Sequence, residues 1–266
     1  MTGSDLHDAD LILPATRDQW PDLPDAFGAL ATTRRGGVSM DPYGDGRGGG
    51  GLNLGRHVGD DSDAVQANRA RLRARLPGAP AWIAQVHGAA VVDAATVQQD
   101  GPVRTGDASI ATVSGVVCAI LTADCLPVLL ADLGGKVAGA AHAGWRGLAG
   151  GVLGETVAAM RAAGAGEITA WLGPAIGPDA FEVGPDVLAA FEAALPGQVA
   201  DAFRPYPGRP GKYLADIYLL ARRMLARAGV TRVHGGGRCT ATESDWFYSY
   251  RRDGVSGRLA SLIWLK

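Results

Sequence analysis

Cysteine and histidine are both scarce in this 266-residue chain, which has three cysteines and five histidines. An odd number of cysteines, spread widely along the sequence, is not a disulfide framework. The sequence therefore favours a protein of a reducing compartment. It also leaves few side chains from which a metal site could be built.

Long apolar runs and an excess of charge are missing as well. No segment reaches the about 18 apolar residues of a membrane-spanning helix, and no basic segment followed by an apolar one opens the chain. The formal net charge is −2, which argues against nucleic acid or an anionic membrane as partner. We expect a cytoplasmic protein in which any anion site is local.

Strand-like and helix-like segments alternate along the chain, and no change in composition is long enough for a linker. This pattern is typical of a mixed α/β fold, and we expect one domain over 1–266 in which 1–27 is an N-terminal extension. Segments 81–88 and 89–94 are predicted to pair as a hairpin that turns at Gly88. Caps and helical spacing of apolar residues predict helices over 60–76, 145–164, 185–195 and 213–229.

Three apolar, strand-like runs end in a side chain that can bind a metal. His87 closes WIAQVH, Cys125 closes CAILTADC and His142 closes VAGAAH. Strand ends are where α/β folds place ligand chemistry. Two imidazoles and one thiol match a catalytic zinc site with an open fourth position, and this donor set favours zinc or copper over magnesium. The alternative is that each is an ordinary core or surface residue, as we expect for Cys118.

Two polar residues next to these positions are candidates for catalysis or binding. Asp124 is a candidate general acid or base if the backbone turns there, because adjacent strand residues point to opposite faces. Otherwise its carboxylate holds the turn or orients a ligating imidazole. Arg146 lies at the predicted start of a helix between Gly144 and Gly147, where a guanidinium and free backbone N–H groups suit an anion. A solvated surface arginine is the alternative.

Several sequence blocks resemble those of a known family. QVHG, TADCLPVLLAD, AHAGWRGLAGGV, GPAIGPDAFEVG and CTATESDWFYSYRRDGVSGRLASLIWL occur in the family's order. From about residue 30 to its end the chain is similar to the YfiH-like family, long labelled multicopper polyphenol oxidase or laccase-domain proteins. The glycine-rich run GDGRGGGG is longer than the family's usual loop, and segment 43–55 is predicted to be too polar to pack.

The resemblance implies a layered α/β/β/α fold and a zinc-dependent purine nucleoside phosphorylase. Its zinc would be bound by His87, Cys125 and His142. The implied reaction is phosphorolysis of adenosine, inosine, guanosine and methylthioadenosine to the free base and ribose 1-phosphate. Hydrolytic deamination of adenosine is the implied side activity, and editing of peptidoglycan precursors is a role described for relatives.

Such a reaction needs a cationic cradle for phosphate and a surface for the purine. Arg146 is the first candidate for the cradle. Asn53 and Arg56 of the segment NLGR are further candidates for binding substrate. Near the C-terminus, Tyr250 is a candidate for stacking on the purine and Arg251 for meeting phosphate. An ordinary amphipathic strand and turn is the alternative for that segment.

Three other functions are left open by the sequence. A hydrolase or deamidase would use Cys125 as nucleophile and a histidine as base. A copper-dependent laccase would need a second, histidine-rich cluster, for which five histidines do not suffice. A non-enzymatic binding module would not convert adenosine in the presence of phosphate. The sequence predicts no oligomeric state.

Overall fold

The computed structural model, which describes residues 6–13, 16 and 18–266, contains three β-sheets and six α-helices. The strands are β1 (Leu11–Ile12), β2 (Phe27–Thr32), β3 (Pro80–Ala81), β4 (Val91–Asp93), β5 (Ala108–Ala111), β6 (Val117–Thr122), β7 (Leu126–Asp132), β8 (Ala138–Ala143), β9 (Ile168–Leu172), β10 (Glu182–Val183), β11 (Phe203–Pro205), β12 (Tyr213–Ala215), β13 (Arg232–Gly235) and β14 (Leu259–Leu265). The helices are α1 (Ser62–Arg73), α2 (Trp145–Ala149), α3 (Val152–Ala162), α4 (Pro185–Ala194), α5 (Ile217–Arg227) and α6 (Tyr250–Asp253).

Two large sheets form the centre of the fold. One has the strand order β1-β2-β14-β6-β3 and the other the order β13-β9-β7-β8-β5-β4. The second sheet is mixed, because β7 is antiparallel to β8 and β9 whereas β13 runs parallel to β9. A small sheet, β10-β12-β11, completes the set. The mixed α/β class predicted from the sequence is confirmed.

The core is built in layers because strand residues alternate between two buried faces. On β7, Val128 and Leu130 pack with the helices, whereas Leu129 and Ala131 pack against the other sheet. A third apolar cluster joins the outer face of the five-stranded sheet to α1 through Leu72. The order is therefore helix, sheet, sheet, helices, as the predicted α/β/β/α sandwich requires. Strands buried on both faces read as continuous apolar runs, which explains the sequence of β7.

The predicted hairpin over 81–88 and 89–94 is wrong. β3 pairs with β6 in one sheet, whereas β4 pairs with β5 in the other. Between them Trp82 packs on the outer cluster and Ile83 between the sheets, so the chain crosses from one layer to the next. Apolar residues alternate in this segment as they do in a strand, but the segment that crosses between the layers is a loop.

The helix predicted over 145–164 is interrupted. Gly151 adopts a φ of 93°, a left-handed conformation that separates α2 from α3. Gly164, with a φ of 96°, follows the end of α3, as the sequence predicted. The segment over 213–229 begins as strand β12, and α5 starts only after Asp216, whose side chain accepts a hydrogen bond from the Leu219 N–H.

The described part of the segment 1–27 packs against the body of the protein. Trp20 is 1% exposed and donates its indole N–H to Thr169 Oγ at 2.9 Å. Residues 1–5, 14, 15 and 17 of this segment lie outside the described part, and the predicted domain boundaries stay a prediction. No helix of the described residues is long and apolar enough to cross a bilayer.

Candidate active site

Three metal-capable side chains converge at one end of the six-stranded sheet. The ligand atoms of His87, Cys125 and His142 all lie within 4.8 Å of one another. The Cys125 sulfur is 3.8 Å from His87 Nε2, and the two imidazole rings meet edge to face with centroids 4.7 Å apart. The sequence-predicted trio therefore forms a compact cluster.

Different backbone features bring these residues together. Cys125 ends the tight turn between β6 and β7, in which Asp124 has a φ of 83°. His142 lies near the end of β8 and pairs with Pro127 of β7, so the antiparallel ladder sets it beside that turn. His87 does not end a strand as predicted; it lies in the crossing loop with a φ of 62°. Non-glycine residues rarely adopt these left-handed conformations, which concentrate at functional sites.

Gly144 leaves room at the centre of the cluster. A methyl group on its α-carbon would lie 2.9 Å from the Cys125 sulfur and 3.0 Å from His87 Cδ2. It would also lie 3.4 Å from His142 Nε2. The absent side chain thus opens a space onto which the thiol and both rings border. Two imidazoles and one thiolate around such a space fit a zinc ion with a free coordination position.

Asp107, which sequence reasoning missed, supports both histidines. It is fully buried at the start of β5, and its Oδ1 lies 2.9 Å from His142 Nδ1. Its carboxylate also accepts hydrogen bonds from the backbone N–H groups of Val86, His87 and Gly88. Asp107 lies about twenty residues from one histidine and thirty-five from the other, so no local motif identifies it.

The cluster's charges perturb one another's pKa. Burial raises the pKa of the Cys125 thiol, but hydrogen bonds and charge interactions with His142 and His87 outweigh that effect and lower it to about 6. Burial lowers the pKa of His142, but its bonds to Asp107 and Cys125 raise it to about 9. Without metal, therefore, the pair favours a thiolate beside an imidazolium near neutral pH.

Asp124 faces the C-terminal segment through both carboxylate oxygens. Oδ1 accepts the hydroxyl proton of Thr240 at 2.6 Å, and Oδ2 accepts the backbone N–H of Arg251 at 2.7 Å. Asp124 is 9% exposed and is not among the residues that line the cavity described next. This geometry supports a structural role, in which Asp124 attaches the C-terminal segment to the turn between β6 and β7, over a role in proton transfer.

A cavity of about 880 Å³ opens onto the metal cluster. The described residues that line it include four arginines and no aspartate or glutamate. Burial, followed by the charge of Arg56, lowers the pKa of Arg69 to about 10. Burial and the charges of Arg258 and Arg69 also lower the pKa of His57. We define the cationic wall as Arg56, Arg69, Arg73 and Arg258; together these side chains make this side of the cavity electropositive.

Two of the five predicted substrate residues line this cavity, namely Arg56 and Tyr250. Arg146 does not line it; its guanidinium is exposed and stacks 4.3 Å from the centre of the Trp145 ring. Arg251 donates from its side chain to the Glu182 carbonyl.

Asn53 has a structural setting instead. It is fully buried and accepts the backbone N–H groups of Gly55 and Arg258. Sequence reasoning missed Arg69, Arg73 and Arg258. The spacing of four between Arg69 and Arg73, which sets both on one face of α1, was the available signal.

The fold and the site together define the class: a mixed α/β sandwich protein with a candidate metal site of two imidazoles and one thiol at a cationic cavity. The family model described as multi-copper polyphenol oxidoreductase laccase matches residues 28–266, and the chain belongs to this family. It is 51% identical over 247 residues to a purine nucleoside phosphorylase of Pseudomonas aeruginosa, covering 93% of this chain and 96% of the relative. It is 49% identical to the purine nucleoside phosphorylase YfiH of Escherichia coli, covering 96% and 98%.

Solved structures share the whole fold. A protein of Neisseria meningitidis superposes with a TM-score of 0.85 at 46% identity, covering 97% of this chain and 99% of the other. YlmD of Geobacillus stearothermophilus superposes with a TM-score of 0.82 at 32% identity, covering 96% and 99%. The family resemblance inferred from the sequence blocks is therefore confirmed.

Proposed function

We propose that this protein is a zinc-dependent purine nucleoside phosphorylase of the cytoplasm. The observation that carries the proposal is the joining of the His87–Cys125–His142 cluster to a cavity lined by four arginines. Phosphorolysis needs two things from the protein: a site for the phosphate nucleophile, and a group beside the nucleoside that stabilises the leaving base. The curated relatives, which are named purine nucleoside phosphorylases, support the same reaction.

The donor set supports zinc as the metal, since imidazole with thiolate is a common zinc environment. When bound, zinc supplies Lewis-acid polarisation of a substrate atom. The described residues hold one group of three or more metal-capable side chains, His87, Cys125 and His142. Such a group is smaller than a multicopper centre requires, which is why we favour zinc over the copper chemistry in the family's description.

Arg258 is our candidate for binding phosphate in place of Arg146. Its Nη1 donates to the carbonyls of Ser256 and Gly257, while Nε and Nη2 donate to no protein group among the described residues. Burial lowers its pKa, and the charge of Cys125 partly offsets that shift, so the guanidinium lies within electrostatic range of the metal cluster. An arginine held on one side and free on the other suits a phosphate oxygen.

The rest of the cavity suits a nucleoside. Its volume falls in the usual range of about 300–1,000 Å³ for small-molecule sites. Tyr250, 60% exposed at the cavity wall, offers a ring on which a purine can stack. We propose adenosine, inosine, guanosine and methylthioadenosine as substrates. Hydrolytic deamination of adenosine is a side activity in which water attacks C6 of the adenine and ammonia leaves, giving inosine.

The test is product analysis with metal-analysed protein. Adenosine is incubated with and without phosphate, and the products are separated by chromatography. Phosphate-dependent release of adenine and ribose 1-phosphate supports the proposal. Inosine as the only product makes deamination the main activity, and no turnover of any of the four nucleosides overturns the assignment.

The role of Arg258 is separable from that of Arg146 by kinetics. We expect Arg258→Gln to raise the KM for phosphate by about tenfold or more, since a lost charged hydrogen bond costs about 1.5–3 kcal/mol. Arg146→Gln is the matched control and should leave phosphate KM unchanged, because that side chain is exposed and outside the cavity lining. The reverse order of effects would restore Arg146 as the phosphate residue.

A thiol-dependent hydrolase is the second candidate function, because Cys125 has a lowered pKa beside His142. Chelation separates the two mechanisms. Full activity after removal of the metal supports Cys125 as a nucleophile, whereas loss of activity that zinc restores supports the metal site. A hydrolase that edits peptidoglycan precursors would release an amino acid from them, with no need for phosphate.

A further inference from the structure

We propose that Asp107 is the positioning residue of the metal site: one buried carboxylate that holds both histidine ligands in their metal-binding geometry. The inference rests on the proposed metal site and not on which reaction occurs there. Asp107 is fully buried and contacts His142 through its ring and His87 through its backbone. Its position in the fold explains how one side chain reaches both.

The contact with His142 follows from the sheet. Ala108 of β5 pairs with Ala141 of β8, so Asp107 and His142 are the next antiparallel pair, and the His142 N–H donates to the Asp107 carbonyl at 2.6 Å. Side chains of such a pair lie on one face. Asp107 Oδ1 is therefore held 2.9 Å from His142 Nδ1, independently of any metal.

The same carboxylate assigns the proton on the His142 ring. Backbone N–H groups can only donate, and Asp107 receives three of them, from Val86, His87 and Gly88. Its oxygens thus act as acceptors, so the proton of the fourth hydrogen bond belongs to His142 Nδ1. When the His142 ring is neutral, as a metal ligand must be, Nε2 therefore has the free lone pair, on the side facing Cys125 where a metal would bind.

The contact with His87 fixes a backbone that is unfavourable by itself. His87 has a φ of 62°, and its N–H lies 2.8 Å from Asp107 Oδ1, while the Gly88 N–H lies 2.7 Å from Oδ2. Three consecutive N–H groups directed at one carboxylate hold the loop in this conformation. Each oxygen already accepts two hydrogen bonds, so Asp107 has no capacity left for substrate and acts through the histidines.

Zinc affinity of Asp107→Asn protein, measured by competition with a chromophoric chelator, tests the role. The amide nitrogen cannot accept the loop N–H groups, so we expect zinc to bind about 10–100-fold more weakly, as with other lost supports of ligating histidines. Cobalt(II) substituted for zinc should show an altered visible spectrum, because the ligand geometry changes. A loss of stability alone would not alter that spectrum in the folded protein.

Asp132→Asn is the matched control. Asp132 is 1% exposed at the far end of β7 and accepts the backbone N–H groups of Lys136 and Gly166. The Asp132→Asn protein should lose stability as Asp107→Asn does, but should keep the zinc affinity and the cobalt spectrum of the wild type. Wild-type zinc affinity and cobalt spectrum in folded Asp107→Asn protein would overturn the proposal.

Nitrogen-15 NMR of zinc-loaded wild-type protein gives a second test that no folding defect can obscure. The proposal requires the proton of His142 on Nδ1 and the metal on Nε2; the opposite assignment overturns it. Zinc binding also separates this inference from the proposed function. Wild-type protein that binds zinc but does not cleave nucleosides contradicts the function alone, and wild-type protein that binds no zinc contradicts both.

Discussion

At the scale of single residues, backbone conformation and the absence of a side chain shape the metal site as much as the ligand side chains do. His87 and Asp124 hold left-handed conformations, and Gly144 supplies space by having no side chain. Each of these features acts on the distance between the Cys125 sulfur and the two rings. Small substitutions outside the ligand set should therefore change metal binding without unfolding the protein.

Gly144→Ala is predicted to weaken zinc binding by about tenfold or more, an effect of the size seen when ligand positioning is lost. The new methyl group would lie 2.9 Å from the Cys125 sulfur and occupy the space between the ligands. Folding should survive, since Gly144 has a φ of −59° and a ψ of 153°, which alanine adopts readily. Isothermal titration with zinc measures the effect.

Gly154→Ala is the control for that substitution. Gly154 lies in α3, and a methyl group there meets no atom within 4 Å. Alanine should stabilise the helix by about 0.5–1 kcal/mol and leave zinc binding intact. Unchanged zinc affinity in Gly144→Ala protein would show that the metal does not use the space beside Gly144.

The thiol of Cys125 should be reactive at unusually low pH in metal-free protein. Because its pKa is lowered to about 6, the thiolate persists as pH falls and is lost only through that value. The alkylation rate with iodoacetamide should follow this titration. The thiolate's contribution to stability is complete above the usual pKa of cysteine and should be lost as pH falls from that value to about 6. A midpoint near the usual value for cysteine would contradict the charge interactions described for the cluster.

Two controls isolate that signal. Cys125→Ser should remove the fast alkylation, and zinc should protect the thiol. Cys118 is fully buried, and desolvation raises its pKa to about 12, so it should stay unmodified in folded protein.

The residue types of the metal trio were predictable from the sequence, but their supports were not. Imidazole and thiol at the ends of apolar runs indicated a metal site, and His87, Cys125 and His142 do converge. Asp107 gave no signal because its partners are brought to it by sheet pairing and a crossing loop. Arg258 was missed because a single arginine in a strand-like segment does not indicate a cavity.

At the scale of single elements, the pattern of apolar residues predicted a strand well where that strand lies between two others in a sheet. β8 spans Ala138–Ala143 and covers all but the first residue of the strand-like run VAGAAH. The pattern failed where the chain changes layer, as in 81–88, because alternation then reflects two different cores. It also failed for segment 43–55, in which Leu52 and Leu54 are fully buried. The composition predicted a loop too polar to pack, but tertiary contacts bury both of its leucines.

Asn68 of α1 holds the glycine-rich segment 43–55 in place by hydrogen bonds. Its amide donates to Ser39 Oγ and to the carbonyls of Gly51 and Asn53, and its carbonyl accepts the Val38 N–H. Asn68→Ala should lower the free energy of unfolding by about 2–4 kcal/mol, because buried groups lose their partners. Urea denaturation measures the change.

The exposed residue Gln66 on the same helix provides the comparison. Gln66→Ala should change stability by less than about 0.5 kcal/mol, as is usual for surface positions. An equally small effect at Asn68 would mean that the loop is held by its leucines and not by this network.

Over the whole molecule, the metal ligands come from parts of the chain that are distant along the sequence. His87 comes from the loop crossing between the sheets, Cys125 from the turn between β6 and β7, and His142 from β8. A metal ion held by these three residues would therefore link the two large sheets at one end. Binding only to the folded state stabilises it by mass action.

Zinc at a thousand times its Kd should raise the free energy of unfolding by about 4 kcal/mol. For a chain of this size that corresponds to an increase in Tm of roughly 8–16 °C. Calorimetry of chelator-treated and zinc-loaded protein measures it, with Cys125→Ser as the variant expected to show a much smaller shift. Equal Tm values for the two wild-type samples would contradict a zinc site built from these three residues.

The metal cluster and the cationic wall come from separate stretches of the chain. The ligands lie between positions 87 and 142, whereas the wall draws on 56–73 and on Arg258. Substitutions on α1 can therefore alter which molecule enters the cavity while the reacting centre keeps its geometry. In evolutionary terms, the shape and charge of the cavity can change independently of the metal ligands, because Arg69 and Arg73 of α1 can be replaced without altering a ligand.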